Sequence, residues 1–253
     1  MTRWLDPQTT DKILDLGCGD GVLTAQIAES ANEVLGIDAS ASMIETAKEK
    51  YQSHKDQSSK KCNFKVVDCR YLERETGIVD GGFDKVFSNA ALHWILRDDT
   101  ARMSTIKSAY RALKKDGAFV FEMGGAGNVA EVHAALIAAV VHQGATVEEA
   151  REACPWFFPS AKLMGRILEE ARFKVDWLEM EYRPTKLTLE GGGGLEGWVR
   201  LMGANFLEVL EIGERRERAV KEVCETLETV IKREEDGSMW LGYVRLRGVA
   251  SKQ

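Results

Sequence analysis

The chain has 253 residues, 44% of them apolar and 29% charged, with a net charge of -6 and a pI near 5.4. That composition suits a folded α/β protein with an ample core, and its acidity disfavours a nucleic-acid surface, which needs a basic face. No apolar run reaches the ~20 residues of a membrane span and no secretory-type leader opens the sequence, so a cytoplasmic location without membrane attachment is expected.

The first patterned stretch is Lys12-Ile13-Leu14-Asp15-Leu16-Gly17-Cys18-Gly19-Asp20-Gly21-Val22-Leu23-Thr24. Ile13, Leu14 and Leu16 mark a short strand. Three glycines at alternate positions form a turn, and Val22, Leu23, Ala25, Ile27 and Ala28 mark a helix face. Strand, glycine turn and helix open a nucleotide-binding sheet, and bare backbone at the turn lets a ligand lie against it. The spacing departs from the dinucleotide fingerprint, which wants a small residue at Val22. Asp15 and Asp20 add negative charge at a helix N-terminus, where a diphosphate needs attraction. S-adenosylmethionine has no phosphate and carries an ammonium and a sulfonium, so the acidic turn favours it over NAD or FAD.

Glu33 to Asp38 reads as the second strand. Asp38, about 20 residues past the turn, has the position of a ribose-binding acid, while Ser40 is available to cap the next helix, Ser40 to Lys50. Gln52 to Lys61 is a polar, lysine-rich surface loop. Asn63 to Asp68 is the third strand, with Asp68 at its tip. Phe83 to Ser88 is the fourth, followed by Asn89-Ala90-Ala91-Leu92-His93-Trp94. Ser104 to Leu113 is a helix stopped at Lys114-Lys115-Asp116-Gly117, and Ala118 to Met123 is the fifth strand.

Val129 to His142 and Thr146 to Cys154 read as extra helices, closed by the run Pro155-Trp156-Phe157-Phe158-Pro159-Ser160. Ala161 to Ala171 is a helix and Phe173 to Tyr182 the sixth strand. Glu190 to Gly194 is a flexible joint. Amphipathic helices follow, with Leu195, Trp198, Val199, Met202 and Phe206 on one and Val220, Val223, Leu227 and Val230 on another. Met239 to Val249 is the last strand. Five scattered cysteines without a Cys-x-x-Cys pair, and four histidines without ligand spacing, give no disulfide framework and no metal site.

The glycine turn, Gly36-Ile37-Asp38-Ala39-Ser40, Val66-Val67-Asp68-Cys69, the stretch Phe83 to Trp94 and Ala112 to Phe119 resemble the motifs of class I S-adenosylmethionine-dependent methyltransferases. The His93-Trp94 pair and the Pro155 to Ser160 run resemble the trans-aconitate methyltransferase group. The resemblance covers the first half of the chain well. It implies a Rossmann-like seven-stranded sheet with an antiparallel last strand and helical cap insertions. The expected layout is a cofactor-binding core over 1–127, cap helices over 128–160, core over 161–190, cap helices over 191–236, and the last core strand over 237–253. The cap is expected to admit the substrate, with a packing layer or a dimer interface as the alternative; monomer and homodimer both stay open.

By the same resemblance, the cofactor contacts are Asp15, Gly17, Cys18, Gly19, Asp20, Gly21, Asp38, Ala39, Met43, Asp68, Cys69, Asn89 and Ala90. Asp68 is expected at the adenine amino group, with a helix-capping role as the alternative. Asn89 and Ala90 are expected along the methionine portion. In that family a longer helical lead precedes the first strand. Here either the lead is dispensable or the start is missing, and Trp4 is the residue that can fold back over the site. His93, Trp94, Trp156 and Trp198 are the substrate-side candidates, and His93 is the candidate catalytic base.

A small carboxylic acid is the implied methyl acceptor, and it would call for a cation among Arg97, Arg166, Arg183 and Arg200. A carbon or nitrogen acceptor, and a cofactor-binding protein without turnover, are the alternatives. Ser88-Asn89-Ala90-Ala91 is unlike an Asn-Pro-Pro-Tyr motif for base amino groups, and no Pro-Cys pair offers a cytosine nucleophile.

Overall fold

In the computed structural model, which describes residues 2–52, 62–188 and 193–253, the chain divides into two compact units. The first comprises Met1–Ala126, Trp156–Glu181 and Arg245–Gln253; the second comprises Gly127–Pro155 and Tyr182–Val244. The lysine-rich loop from Ser53 onward, and residues 190–192 of the glycine joint with the residue before them, lie outside the described residues. Trp156 to Ser160, expected with the cap, clusters with the first unit, whereas 182–190 and 237–244, expected with the core, fall in the second.

The first unit holds a seven-stranded sheet. Its strands are β1 (Lys12–Leu16), β2 (Glu33–Asp38), β3 (Cys62–Val66), β4 (Phe83–Asn89), β5 (Leu113–Gly124), β6 (Phe173–Tyr182) and a final strand, Val244–Lys252. The spatial order is β3, β2, β1, β4, β5, the final strand, then β6. Strands β1 to β5 pair in parallel, and the final strand runs antiparallel to β5. Parallel strands are covered on both faces, which explains their near-continuous apolar runs. Leu14, Leu16, Ile37, Val86, Phe119 and Phe121 fill one face together with Met164 and Leu168 of the helix Ala161–Glu170. Ile13, Val34, Phe87 and Val120 fill the other with Leu5, Ile27, Ile44 and Ala47.

Two elements differ from expectation. β5 starts at Leu113, because Phe83 pairs with Leu113 before the register shifts to Lys85 opposite Ala118. The intervening residues bulge, with Asp116 in the left-handed region at φ 63°. The expected last strand is two strands. Trp240–Leu241 pairs antiparallel with Thr185–Lys186 in a separate ribbon of the second unit, and Val244–Lys252 joins the main sheet.

Trp4 does not close over the glycine turn. Its ring stacks on Trp177 of β6 at 5.1 Å, with the Arg247 guanidinium 5.1 Å from it. Arg247 sits three strands from β1, roughly 14 Å at ordinary strand spacing.

In the second unit the helices Ala130–His142 and Glu214–Ile231 pack together, burying Val132, Leu136 and Val140 on one and Val220, Val223 and Leu227 on the other. The short helix Val147–Glu152 opens on a capping box between Thr146 and Glu149. Among the described residues, no helix is long and apolar enough to cross a membrane.

Candidate cofactor and substrate site

The carboxyl ends of β1, β2, β3 and β4 form one partly exposed rim above a buried sheet. Gly17, Gly19 and Gly21 have φ of 75°, 55° and 79°, a left-handed path at alternate residues that only glycine takes without strain. Their surroundings differ. A Cβ at Gly17 would lie 2.2 Å from that of Ala91, and one at Gly21 would lie 2.7 Å from the Phe64 ring. At Gly19 a Cβ would meet nothing within 4 Å. Gly17 and Gly21 are therefore glycines because the protein crowds them, and Gly19 borders open space.

The turn is tied to its neighbours. The N–H groups of Gly17 and Cys18 donate to the Ile37 carbonyl at 2.8 and 3.0 Å. Ser88 Oγ, buried at the end of β4, donates to the Leu16 carbonyl at 2.8 Å. Asp38 is fixed by two backbone donors, with Gly19 N–H on Oδ2 at 3.1 Å and Ser40 N–H on Oδ1 at 2.8 Å. Each oxygen keeps a lone pair for a further donor. The capping task falls to Ser40, whose Oγ accepts from Met43 N–H at 3.3 Å. Asp38 is thus held in place and left with acceptor capacity, as a pair of ribose hydroxyls requires. Ala39 and the Met43 side chain are exposed beside it.

The other acids have different fates. Asp15 is buried at 3% exposure and accepts from Thr24 Oγ1 at 2.7 Å. Burial, reinforced by Asp38 and opposed by the Thr24 hydroxyl, pushes its pKa up to about 7. Asp20 turns outward and pairs with Lys50 at 2.9 Å, which holds its pKa below the usual carboxylate range. The charge expected of Asp20 in the turn is largely met by that lysine. Asp68 makes the capping contact. It caps the short 3₁₀ helix Cys69–Arg74 through Arg70 N–H, and its carboxylate is gripped by the Arg70 guanidinium at 2.6–3.0 Å. That grip lowers its pKa. Cys69 is buried next to it, and burial pushes its thiol up to about 12. Asn89 ends β4, and Ala90 takes φ 56° with its N–H on the Glu122 carbonyl at 2.8 Å.

His93 lies on the short helix Leu92–Ile95. It is 8% exposed, and its Nδ1 accepts from Gly124 N–H at 3.3 Å, which assigns the proton of the neutral ring to Nε2. Burial, with the Arg245 charge, pulls its pKa down to about 3. A ring so weakly basic accepts a proton poorly at neutral pH, which weighs against the expected role of general base. His93 instead forms an aromatic wall with Trp94, at 5.5 Å, and Phe158, at 5.7 Å; Trp156 stacks on Phe158 at 5.6 Å and meets Trp94 edge-on at 5.9 Å. Trp94, 38% exposed, is the open face of this wall. Trp198 belongs to the second unit, where its Nε1 donates to the Tyr243 hydroxyl at 2.9 Å. Arg200 is also there, bound to Glu196 and Glu217. Arg97, Arg166 and Arg183 are exposed.

Sequence reasoning missed Thr24, Ser88, and the charged group Glu122, Arg245 and Arg247. A glutamate within the apolar run Phe119 to Met123, facing an Arg-Leu-Arg triplet, was the available signal. Among the described residues no cluster of potential ligands is arranged for a metal ion.

Known proteins share the fold of this chain. A family model described as a methyltransferase domain matches residues 8–172. An uncharacterised methyltransferase of Schizosaccharomyces pombe is 36% identical over 253 residues, covering 100% of this chain and 91% of that protein. Trans-aconitate 2-methyltransferase of Deinococcus radiodurans is 33% identical over 86 residues, covering 33% of this chain and 28% of that protein. The crystal structure of the YcgJ protein of Bacillus subtilis superposes with a TM-score of 0.67 at 16% identity, covering 100% of this chain and 96% of that one.

Proposed function

The chain belongs to the methyltransferase-domain family and uses S-adenosylmethionine, and from that premise we propose that it methylates a carboxylate oxygen of a small organic acid. The observation that carries the acceptor class is the state of His93. A phenol, alcohol or protonated amine must lose a proton to react, and His93 is a poor receiver for it: the acceptor nitrogen of its neutral ring is taken by the Gly124 N–H and burial lowers its pKa. A carboxylate is already ionised and needs no base. The resemblance of the His93-Trp94 stretch to the trans-aconitate group, and the partial identity to one such enzyme, support the same class.

S-adenosylmethionine supplies, when bound, an activated methyl group on a sulfonium. Asp38, held by Gly19 and Ser40, would take the ribose hydroxyls, and the bare backbone at Gly19 would let the ligand lie close. Asp15, Cys18, Asn89 and Ala90 border the methionine end, and Asp68 and Cys69 the adenine end, where Arg70 must share the Asp68 carboxylate. The protein's task is then to position the acceptor in line and exclude water, effects worth about 7–11 kcal/mol in well-oriented reactions. Trp94, Trp156 and Phe158 give an apolar wall suited to that.

The test is transfer of labelled methyl from S-adenosylmethionine to panels of small acids, phenols and amines. Base-labile methyl esters of one or more acids are expected, with His93→Ala retaining turnover within about tenfold, below the usual general-base contribution. Transfer only to phenols or amines, abolished by His93→Ala, would overturn the proposal.

A further inference from the structure

Asp15 stands on β1 two residues before Gly17, with Gly36 and Phe87 as its register partners on the neighbouring strands. It is 3% exposed. A buried carboxylate needs a cation or several donors to offset the hydration it loses. Asp15 has one neutral donor, the Thr24 hydroxyl on Oδ2, and Oδ1 has no partner among the described residues.

Its charged and titratable neighbours add like charge or none. Asp38 at the end of β2 bears on it directly, and the thiols of Cys18 in the turn, Cys62 on β3 and Cys69 in the 3₁₀ helix lie within its field. Burial raises those thiols as well, so they stay neutral at neutral pH. From the helix Val22–Ser30 the group that faces it is Thr24. No lysine, arginine or histidine among the described residues offsets its charge, and Lys50 is committed to Asp20. Asp15 is therefore held as a neutral acid up to about pH 7, in a turn that borders open space at Gly19.

A cationic ligand reverses that balance, because a positive charge beside a buried carboxyl favours its ionised form. S-adenosylmethionine and S-adenosylhomocysteine both carry an α-ammonium. We propose that Asp15 holds a proton in the unliganded enzyme and surrenders it as the ammonium of the methionine portion arrives, so that cofactor binding is an exchange of a proton for a cation. The carboxyl O–H bond breaks, its electron pair stays on oxygen and the proton passes to solvent. No bond of the ligand changes. Binding is then weaker in acid, where the proton must be stripped from Asp15, and levels off above neutrality. The exchange rests on the placement of the methionine end beside Asp15 and does not depend on which acceptor is methylated.

The test is isothermal titration calorimetry of the full chain in buffers of different ionisation enthalpy, which counts the protons released per ligand bound. S-adenosylhomocysteine is one probe. Methylthioadenosine, which keeps the nucleoside and the sulfur but has no ammonium, is the other. With Asp15 titrating at about 7 before binding, S-adenosylhomocysteine should release about one proton at pH 5.5 and about half a proton at pH 7, and bind about 15-fold tighter at pH 7. Both conditions lie below the range of about 7.7–8.0 where an α-ammonium itself titrates. Methylthioadenosine should release no proton and bind equally at both pH values. Asp15→Asn should abolish the release and flatten the pH dependence. Thr24→Val removes the donor that favours the ionised form, so release at pH 7 should rise from about one half toward one; if the asparagine variant does not fold, this shift decides. No proton released with S-adenosylhomocysteine, an undiminished release in Asp15→Asn, or an equal release with methylthioadenosine overturns the exchange while leaving cofactor use intact. Failure of S-adenosylhomocysteine to bind at any pH overturns both.

Discussion

The three glycines of the turn should separate when each is replaced by alanine. All three sit in the left-handed region, so any side chain there costs about 1–2 kcal/mol. At Gly17 and Gly21 a methyl group also overlaps Ala91 or Phe64 at 2.2–2.7 Å, and relieving such overlap adds about 1–3 kcal/mol. At Gly19 no atom lies within 4 Å, so the backbone term stands alone. For a protein of this size 1 kcal/mol is about 2–4 °C in Tm. Gly19→Ala should therefore melt a few degrees below wild type, and Gly17→Ala and Gly21→Ala clearly lower still. Binding should follow the opposite logic for Gly19. Its methyl group would fill the space the cofactor needs, and S-adenosylhomocysteine affinity should fall at least about tenfold, or 1.4 kcal/mol. Thermal denaturation and isothermal titration calorimetry on the three variants read both quantities. Wild-type affinity in Gly19→Ala would refute the placement of the ligand, and equal melting of Gly17→Ala and Gly19→Ala would refute the packing distinction.

Asp15 should make the unliganded protein less stable as pH rises. Its folded pKa of about 7 exceeds the ordinary 3.8, so between those values the native state holds a proton that the unfolded chain has released. Stability then declines across that window and levels off above it, by up to about 4 kcal/mol. Asp15→Asn should flatten the slope and melt above wild type at pH 8; parallel pH profiles of Tm would contradict this. For His93, kcat should show no inflection at an ordinary histidine pKa of about 6.5, and His93→Gln should preserve the profile, as pre-steady-state rates against pH would show. Arg247→Met leaves Glu122 largely buried beside it and should cost about 3–5 kcal/mol in urea unfolding, most of it recovered by adding Glu122→Gln.

The parts of this molecule that could be read from the sequence are those set by local chemistry. Alternate glycines after Ile13, Leu14 and Leu16 dictated the turn, and the Ser40 cap beside Asp38 followed from residue type alone. Helix and strand periods located most elements to within a few residues. What escaped depended on partners far along the chain. Asp20 reads as an acid in the turn until Lys50, thirty residues on, reaches it. His93 has the composition of a base; its basicity is lowered by burial and by the charge of Arg245, which lies far along the chain. The final strand reads as one because Met239 to Val249 carries β-formers on both sides of Gly242, and only the pairing of Trp240–Leu241 with Thr185–Lys186 breaks it in two.

Those long-range partners also change why the turn should favour a cationic methyl donor. Three acids near the glycines suggest a strongly negative site, yet Asp20 is matched by Lys50 and Asp15 holds a proton for part of the time near neutral pH. The excess charge is therefore small. The sharper discriminator is the direction of a backbone donor. Helix N-termini hold phosphate by pointing free N–H groups at it. Here the Gly19 N–H points at Asp38, and that carboxylate is locked by a second donor at Ser40. A diphosphate would have to displace a fixed anion from the amide it needs, whereas a ribose gains from the same anion two acceptors already aimed. Asp38→Asn is the variant that exposes this. It should weaken S-adenosylhomocysteine, which uses the carboxylate, by roughly 10–100-fold, as for a charged hydrogen bond. It should also reduce discrimination against NAD measured in the same titration. If NAD were rejected as strongly by the asparagine variant as by wild type, selection would lie in the shape of the turn rather than in the carboxylate that occupies its amide.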